Sequence, residues 1–496
     1  MSQSVSQIPA RKQRTWRGLL VTLLCLVLLG VVGILWFLWY SSYDLNALMA
    51  EMDVQDPGWR QDDIEASRKA APAAGNSALH IVAVAKLRAG QPVITAAMEK
   101  VFENLPPQVE LDAQQIDHLE KRFAILQAAV VEARKFKDMP RGRHPIKYSE
   151  DWVSTLVPHL QDAREVCELL NWDAAWRAHG GDDEGALESC LALQNAAHSM
   201  GDEPFIMSLL VRVGCHVAAV QAIERTLAQG RFTPASEPTL KLMQDTFARE
   251  LSEPTLLIAL RGERAGLHQF VQAVAQGKVN RASLGLVPWT ATVSILEGLP
   301  GGMSGKRSLS NEVDSRLIEH FPAYLTRQHA AMLRFANELV DAAKLPPDKA
   351  EERFHALEKK IRDEPYLVRI TAPSFIKTRE AVRGMHANLR CAVAALAAER
   401  YRLAHNRWPE SLDDLVKAGF LDAVPTDPYG GKPIRLKRMA DGLVLYSVGR
   451  DKIDNDGFMS RGNPADPGTD TGFRLWDISA RRQAPNPPVR EENPAK

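Results

Sequence analysis

The sequence predicts a mainly α-helical protein: a transmembrane helix, a helical-hairpin array, then a small α+β domain at the C-terminal end. Three observations carry that prediction. An uninterrupted apolar run fills residues 18–40. Apolar residues then recur at three- and four-residue spacing through most of 76–380, the period of helices that bury one face. From about residue 379 a long amphipathic stretch gives way to two short strand-like segments. A chain of 496 residues is too long for one ordinary core, which points to several units.

The first element is "GLLVTLLCLVLLGVVGILWFLWY", Gly18 to Tyr40, without a charged side chain. At about 1.5 Å per residue it is long enough for a hydrocarbon layer of about 30 Å. Arg11, Lys12, Arg14 and Arg17 crowd its near end, and Trp36, Trp39 and Tyr40 form an aromatic belt at its far end. The positive-inside rule then holds residues 1–17 in the cytoplasm and places the bulk outside it. A cleaved secretory signal is the rival reading, but its apolar core runs only about 7–15 residues and ends at a small-x-small site, which "FLWYSSYDL" does not offer. The expected location is a bacterial inner membrane, spanned once.

After the anchor, Asp56-Pro57-Gly58 marks a turn between two short helices, a stalk or first hairpin. The helical domain is expected over 41–378. Within it, "FIMSLLVRVGCHVAAVQAIERTLAQG" is apolar on most faces but carries Arg212, His216, Glu224 and Arg225, so it reads as a buried helix and not a second span. "SILEGLPGGMSGKRSLSNEVDS" reads as an internal loop. The α+β domain is expected over 379–480, with a hairpin at Ala440-Asp441-Gly442 joining "KPIRLKRM" to "GLVLYSVG", and a disordered tail over 481–496.

Charged residues make up 25% of the chain and balance to a formal net of +0, so the overall charge favours neither nucleic acid nor an acidic partner. Five cysteines are scattered singly, Cys25 in the apolar run and Cys167, Cys190, Cys215 and Cys391 in helical stretches. Buried free thiols are the expectation, with one bridge between Cys190 and Cys215 as the alternative. Thirteen histidines include no two within eight residues of each other, so a helical zinc pair is absent, and His198, His216 and His268 read as polar contacts in helix packing. Ser374 and Lys377 match a Ser-x-x-Lys pair without its companion motifs and read as a helix start after Pro373. "GGMSGKRS" lacks the first glycine of a phosphate loop and has Arg307 where a magnesium-binding hydroxyl belongs. Arg261, Glu263 and Arg264 lie in an apolar helical region, where charges must pair; salt bridges between helices are the expectation, with a charged groove lining as the alternative.

Two stretches resemble known families. Gly181, Asp182, Ala186 and Leu187 match the start of a tetratricopeptide second helix, over about twenty residues and without a repeat. The order of "YRLAHNRWPESLDDLV", "VPTDPYGGKPIRL", "LYSVGRD" and "GTDTGFRLWDI", over residues 385–478, is similar to the C-terminal head of the major pseudopilin of type II secretion. That resemblance implies a pseudopilin-like α+β domain and a calcium site after the second strand. Carried over, it falls on Asp451 and Asp470, with backbone oxygens near Leu445 and Ser447; Asp454 and Asp456 stand beside them. Several aspartates on one glycine-containing loop suit the oxygen-rich coordination of Ca2+. Asp-Asn-Asp-Gly also makes a solvated turn with no ion. Residues 41–378 separate anchor from head, and "RKQRTWRGLL" lacks a pseudopilin cleavage site, so the head reads as a reused module.

The functional expectation is a membrane-anchored extracytoplasmic scaffold or interaction protein, bound to the membrane through residues 18–40 and to protein partners, not to nucleic acid. A component of type II secretion or pilus-like assembly is one alternative. An envelope enzyme whose site is assembled from distant helices is the other, since no local catalytic constellation emerges.

Overall fold

The structure, a computed structural model, describes residues 10–71, 75–103, 105–280, 309–460 and 466–485. It is mainly helical, with a small three-stranded antiparallel sheet near the C-terminal end.

Helix α1 runs from Ala10 to Gln55 without a break. The apolar run is helical as expected, and the helix continues past it because no proline or glycine intervenes between Gly33 and Pro57. Its two halves differ in packing. Side chains from Leu19 to Tyr40 are exposed almost throughout, whereas Leu48 and Met52 pack with Trp59 against Leu333. Asp56 to Gly58 then turns the chain, with Gly58 at φ +76°.

The helical body continues through α2 (Gln61–Ser67), α3 (Ser77–Arg88), α4 (Glu99–Phe102), α5 (Ala113–Arg134), α6 (His159–His179), α7 (Asp183–Ala197), α8 (Ile206–Gln229), α9 (Glu237–Ser252) and α10 (Thr255–Ala275). Beyond residues that are not described come α11 (Leu309–His320), α12 (Pro322–Ala343), α13 (Pro347–Lys360), α14 (Tyr366–His405) and α15 (Leu412–Lys417). Local signals set several starts. Asp112 caps α5 reciprocally with Gln115, and Asp182 caps α7 by accepting from the Gly185 amide at 3.0 Å. Helices α6 and α7 form a hairpin across Gly180-Gly181. Helix α8 is enclosed, with Leu209, Cys215, Ile223 and Leu227 all buried, as expected of a core helix.

Strands β1 (Arg435–Met439), β2 (Gly442–Ser447) and β3 (Thr471–Trp476) lie in the order β1-β2-β3, and the expected hairpin pairs Met439 with Gly442. Every residue of β2 is buried. Leu443, Leu445, Phe473 and Leu475 face the helices, while Gly457, in the loop after β2, closes over Val444 and Tyr446 on the other face.

The C-terminal elements do not stand apart from the body. Helix α14 begins at Tyr366, so residue 379 lies inside a continuous helix, and Pro373 is an interior residue rather than a helix start. That helix packs on α8, α9, β2 and β3, and one apolar cluster runs from Ile81 to Leu475. Residues 481–485, expected in a disordered tail, are docked. Arg481 donates to Glu399 and to the Gly230 carbonyl, and Gln483 exchanges backbone hydrogen bonds with Gln108 and Glu110. Residues 486–496 lie outside the described residues.

Candidate functional site

A polar centre sits where α7, α8, α9 and α14 meet. Helix α8 presents Arg212 and His216 one turn apart on one face. Glu250 comes from the last turn of α9 and is 1% exposed. His198 stands on the single 3-10 turn that ends α7. That turn closes at Gly201, φ +59°, where a Cβ would collide with the Gly142 carbonyl oxygen, so a glycine is required.

The groups converge on one carboxylate oxygen. Glu250 Oε2 lies 2.9 Å from His198 Nε2 and 3.3 Å from His216 Nε2, and Arg212 Nη2 also donates to it. Arg212 Nε donates to Oε1 at 3.0 Å and Nη1 to the Gly201 carbonyl at 2.6 Å. Burial by itself would raise the Glu250 carboxyl, but the imidazole of His216 and the Arg212 guanidinium hold it well below the usual carboxylate range. Burial pushes His198 down to about 4, partly offset by its hydrogen bond to Glu250. His386, on α14 within electrostatic reach of Glu250 and His216, is likewise pushed down to about 4 by burial and by Arg390.

Several nitrogens here lack hydrogen-bond partners. His216 is 0% exposed, and neither ring nitrogen makes a hydrogen bond; the Nε2 contact to Glu250 is close but not aligned as one. His198 Nδ1 and His386 Nε2 are also unpartnered. Orphaned buried polar atoms are uncommon in folded proteins and call for an explanation. Among the described residues, His198, His216 and Glu250 are the one set of three whose ligand atoms all lie within 4.8 Å of one another.

The four aspartates of the head share one loop but are held apart. Asp470, 1% exposed, accepts from the amides of Asn455 at 3.2 Å and Gly457 at 2.7 Å. Burial raises its carboxyl, and the neighbouring Asp454 charge adds to that rise. Asp454 meets Arg435 at 2.9 Å and the Tyr446 hydroxyl at 3.2 Å. Asp456 pairs with Lys437, and Asp451 accepts from the amides of Ile453 and Gly468 at 2.9 and 2.8 Å. Asp454 and Asp470 are close enough to interact; Asp451 and Asp456 point to other partners.

The remaining candidates resolve into packing. Arg261 and Arg264 do form salt bridges, and their common partner is Asp56 at the end of α1. Glu263 turns the other way and accepts from the Ile206 amide at 2.8 Å. Ser374 donates to the Thr371 carbonyl at 2.6 Å inside α14. The alternative Cys190–Cys215 bridge does not form: Cys190 meets Thr226 at 3.3 Å, Cys215 faces Cys167, and all five thiols are free. His268 bonds His329 at 3.0 Å. "GGMSGKRS" lies outside the described residues. A surface concavity of about 1080 Å3 near Trp408 is lined by arginines, of which Arg402 is paired with Glu399 and Arg438 with Asp477.

Sequence reasoning treated His198 and His216 as packing contacts and missed Glu250. The one visible signal was Arg212 and His216, four residues apart on an otherwise apolar helix; nothing local tied them to α9. Comparisons of the chain with family models, with curated proteins and with solved structures found no match.

Proposed function

We propose that this chain is a single-pass membrane protein whose helical body, outside the cytoplasm, serves as a scaffold or interaction protein. The observation that carries the reading is α1. Its apolar half is exposed along a stretch long enough to span a bilayer, and its polar half is bolted to the body without a flexible joint. Asp44 meets Arg334 at 2.9 Å, and Asp56 is held by Arg261 and Arg264. Side chains such as Leu23, Leu26 and Leu29 in water would each forgo about 1.5–3 kcal/mol of burial, which a hydrocarbon surround supplies. A chain held to the membrane on a rigid helix carries its surfaces at a fixed height, as a scaffold requires.

The test is a pair of measurements on cells. Carbonate-washed membranes should retain the full chain, and protease added to spheroplasts should digest the body while sparing the first residues. Release by carbonate, or protection of the body, overturns the reading. Cross-linking in the native membrane, followed by mass spectrometry, then separates the alternatives: capture of secretion or pilus-assembly components favours the second, and reproducible capture of other envelope proteins the scaffold.

What supports calcium as an additional reading is Asp470, whose carboxyl is raised by burial and further by the Asp454 charge, a repulsion that a cation would relieve. Millimolar calcium should raise the melting temperature of the full chain over that in chelator, and Asp470→Asn should remove the difference. Equal melting in both conditions overturns it.

A further inference from the structure

The geometry points to a site for a divalent first-row transition ion, of the zinc class, on His198, His216 and Glu250. Two imidazoles and one carboxylate are a donor set that binds such ions, and this set is distinct from the all-oxygen loop of the head. The spacing fits. Donor atoms about 2.0–2.1 Å from one tetrahedral ion stand roughly 3.3 Å apart, and Glu250 Oε2 is 2.9 Å from His198 Nε2 and 3.3 Å from His216 Nε2. The second, independent observation is His216. It is wholly buried and neither ring nitrogen makes a hydrogen bond, while Nε2 faces Glu250 Oε2 at 3.3 Å. An ion on Nε2 gives that nitrogen a partner.

Helices α8 and α9 and the turn that ends α7 supply the donors, so the core itself fixes them: α7 packs on both α8 and α9, and Leu193, Val220 and Met243 belong to one apolar cluster. His198 is the most exposed of the three ligands, its side chain 12% exposed. A water-sized cavity of about 20 Å3 adjoins the site, bounded by Gly201, Glu203 and Arg212.

Arg212 is the built-in competitor. Its guanidinium grips both oxygens of Glu250. An ion on Oε2 displaces the Nη2 contact and leaves Nε on Oε1, where the arginine orients the carboxylate from behind. Two positive charges then share one carboxylate in a buried place, so Arg212 weakens the site while holding it in shape. This predicts an unusual pattern. Removing a ligand abolishes binding, whereas removing Arg212 tightens it.

The test uses the full chain in detergent, stripped with chelator and titrated with Co2+, whose visible absorption reports imidazole and carboxylate ligation. One Co2+ per chain is expected, displaced by Zn2+. His216→Gln should lose it, His268→Gln and Asp470→Asn should keep it, and Arg212→Gln should bind at least tenfold more tightly. If His216→Gln does not fold by circular dichroism, His198→Gln, at the exposed edge, takes its place. Absence of stoichiometric Co2+ in the wild type, or its retention in the ligand variant, overturns the site. Loss of binding in Arg212→Gln overturns the competitor role.

Discussion

Glu263 shows how much one buried carboxyl can set. It is 6% exposed and has one hydrogen-bond donor, the Ile206 amide, so burial raises its pKa to about 7. The folded chain therefore holds a proton between about pH 4.5 and 7 that the unfolded chain releases, and its contribution to stability falls as pH rises through that window. Glu263→Gln keeps the acceptor and removes the charge. It should raise the melting temperature at pH 8, by an effect of up to about 3 kcal/mol, and the gain should vanish towards pH 4.5. The residue before it, Gly262, lies against Pro204, where any Cβ would overlap the Pro204 carbonyl. Gly262→Ala should cost about 1–3 kcal/mol in thermal unfolding, as overpacking does.

At the scale of elements, α1 is joined to the body by charge as much as by apolar contact. Arg264 is 0% exposed, and Asp56 is its ion-pair partner; Asn337 supplies a neutral acceptor. Asp56→Asn leaves that guanidinium buried without a counter-charge, which costs on the order of 3 kcal/mol. Melting should fall accordingly, and limited proteolysis should newly cut the turn after Gln55. An unchanged cleavage pattern would mean that Leu48, Met52 and Trp59 hold the joint by themselves. Helix α14 plays the corresponding part at the other end. Its Glu399, 0% exposed, is gripped by Arg402 and by Arg481 from the C-terminal segment. Deletion from residue 481 onward removes one of these partners and should destabilise the whole chain, not the head alone.

For the whole molecule, a set of buried histidines governs the response to acid. Burial lowers His144 and His329 to about 3, and His198, His268 and His386 to about 4. Unfolded imidazoles take up protons from about pH 6.5 downward, which the folded ones refuse until near pH 4, so protons favour the unfolded chain across that range. The histidines' contribution to stability should be full above pH 6.5 and be lost steeply between pH 6 and 4, by more than one proton per chain in a pH series of denaturant titrations. The shared core makes a second expectation. A fragment beginning at Arg379 cuts α14 in two and strips α8 from β3 and α9 from α14, so it should not unfold cooperatively.

Much of the layout was legible in the sequence because it is written in local patterns. The apolar run declared α1, the Asp-Gly pair set the β1–β2 hairpin, and charges on an otherwise apolar stretch marked α8 as a core helix. Where the sequence reading stopped short, the deciding contacts were distant. Nothing near residue 379 announces that α14 starts at Tyr366 and tolerates Pro373, since the packing on both its ends compensates for the lost hydrogen bond. Arg481 looks like part of a polar tail until Glu399 is seen waiting for it. The sequence by itself determined the elements and the exposed apolar helix, since periodicity and hydropathy act over neighbouring residues. Only the tertiary structure decided that His198, His216 and Glu250 come within 4.8 Å of one another, because α8, α9 and the turn after α7 each bring a single donor and no spacing along the chain records where they meet.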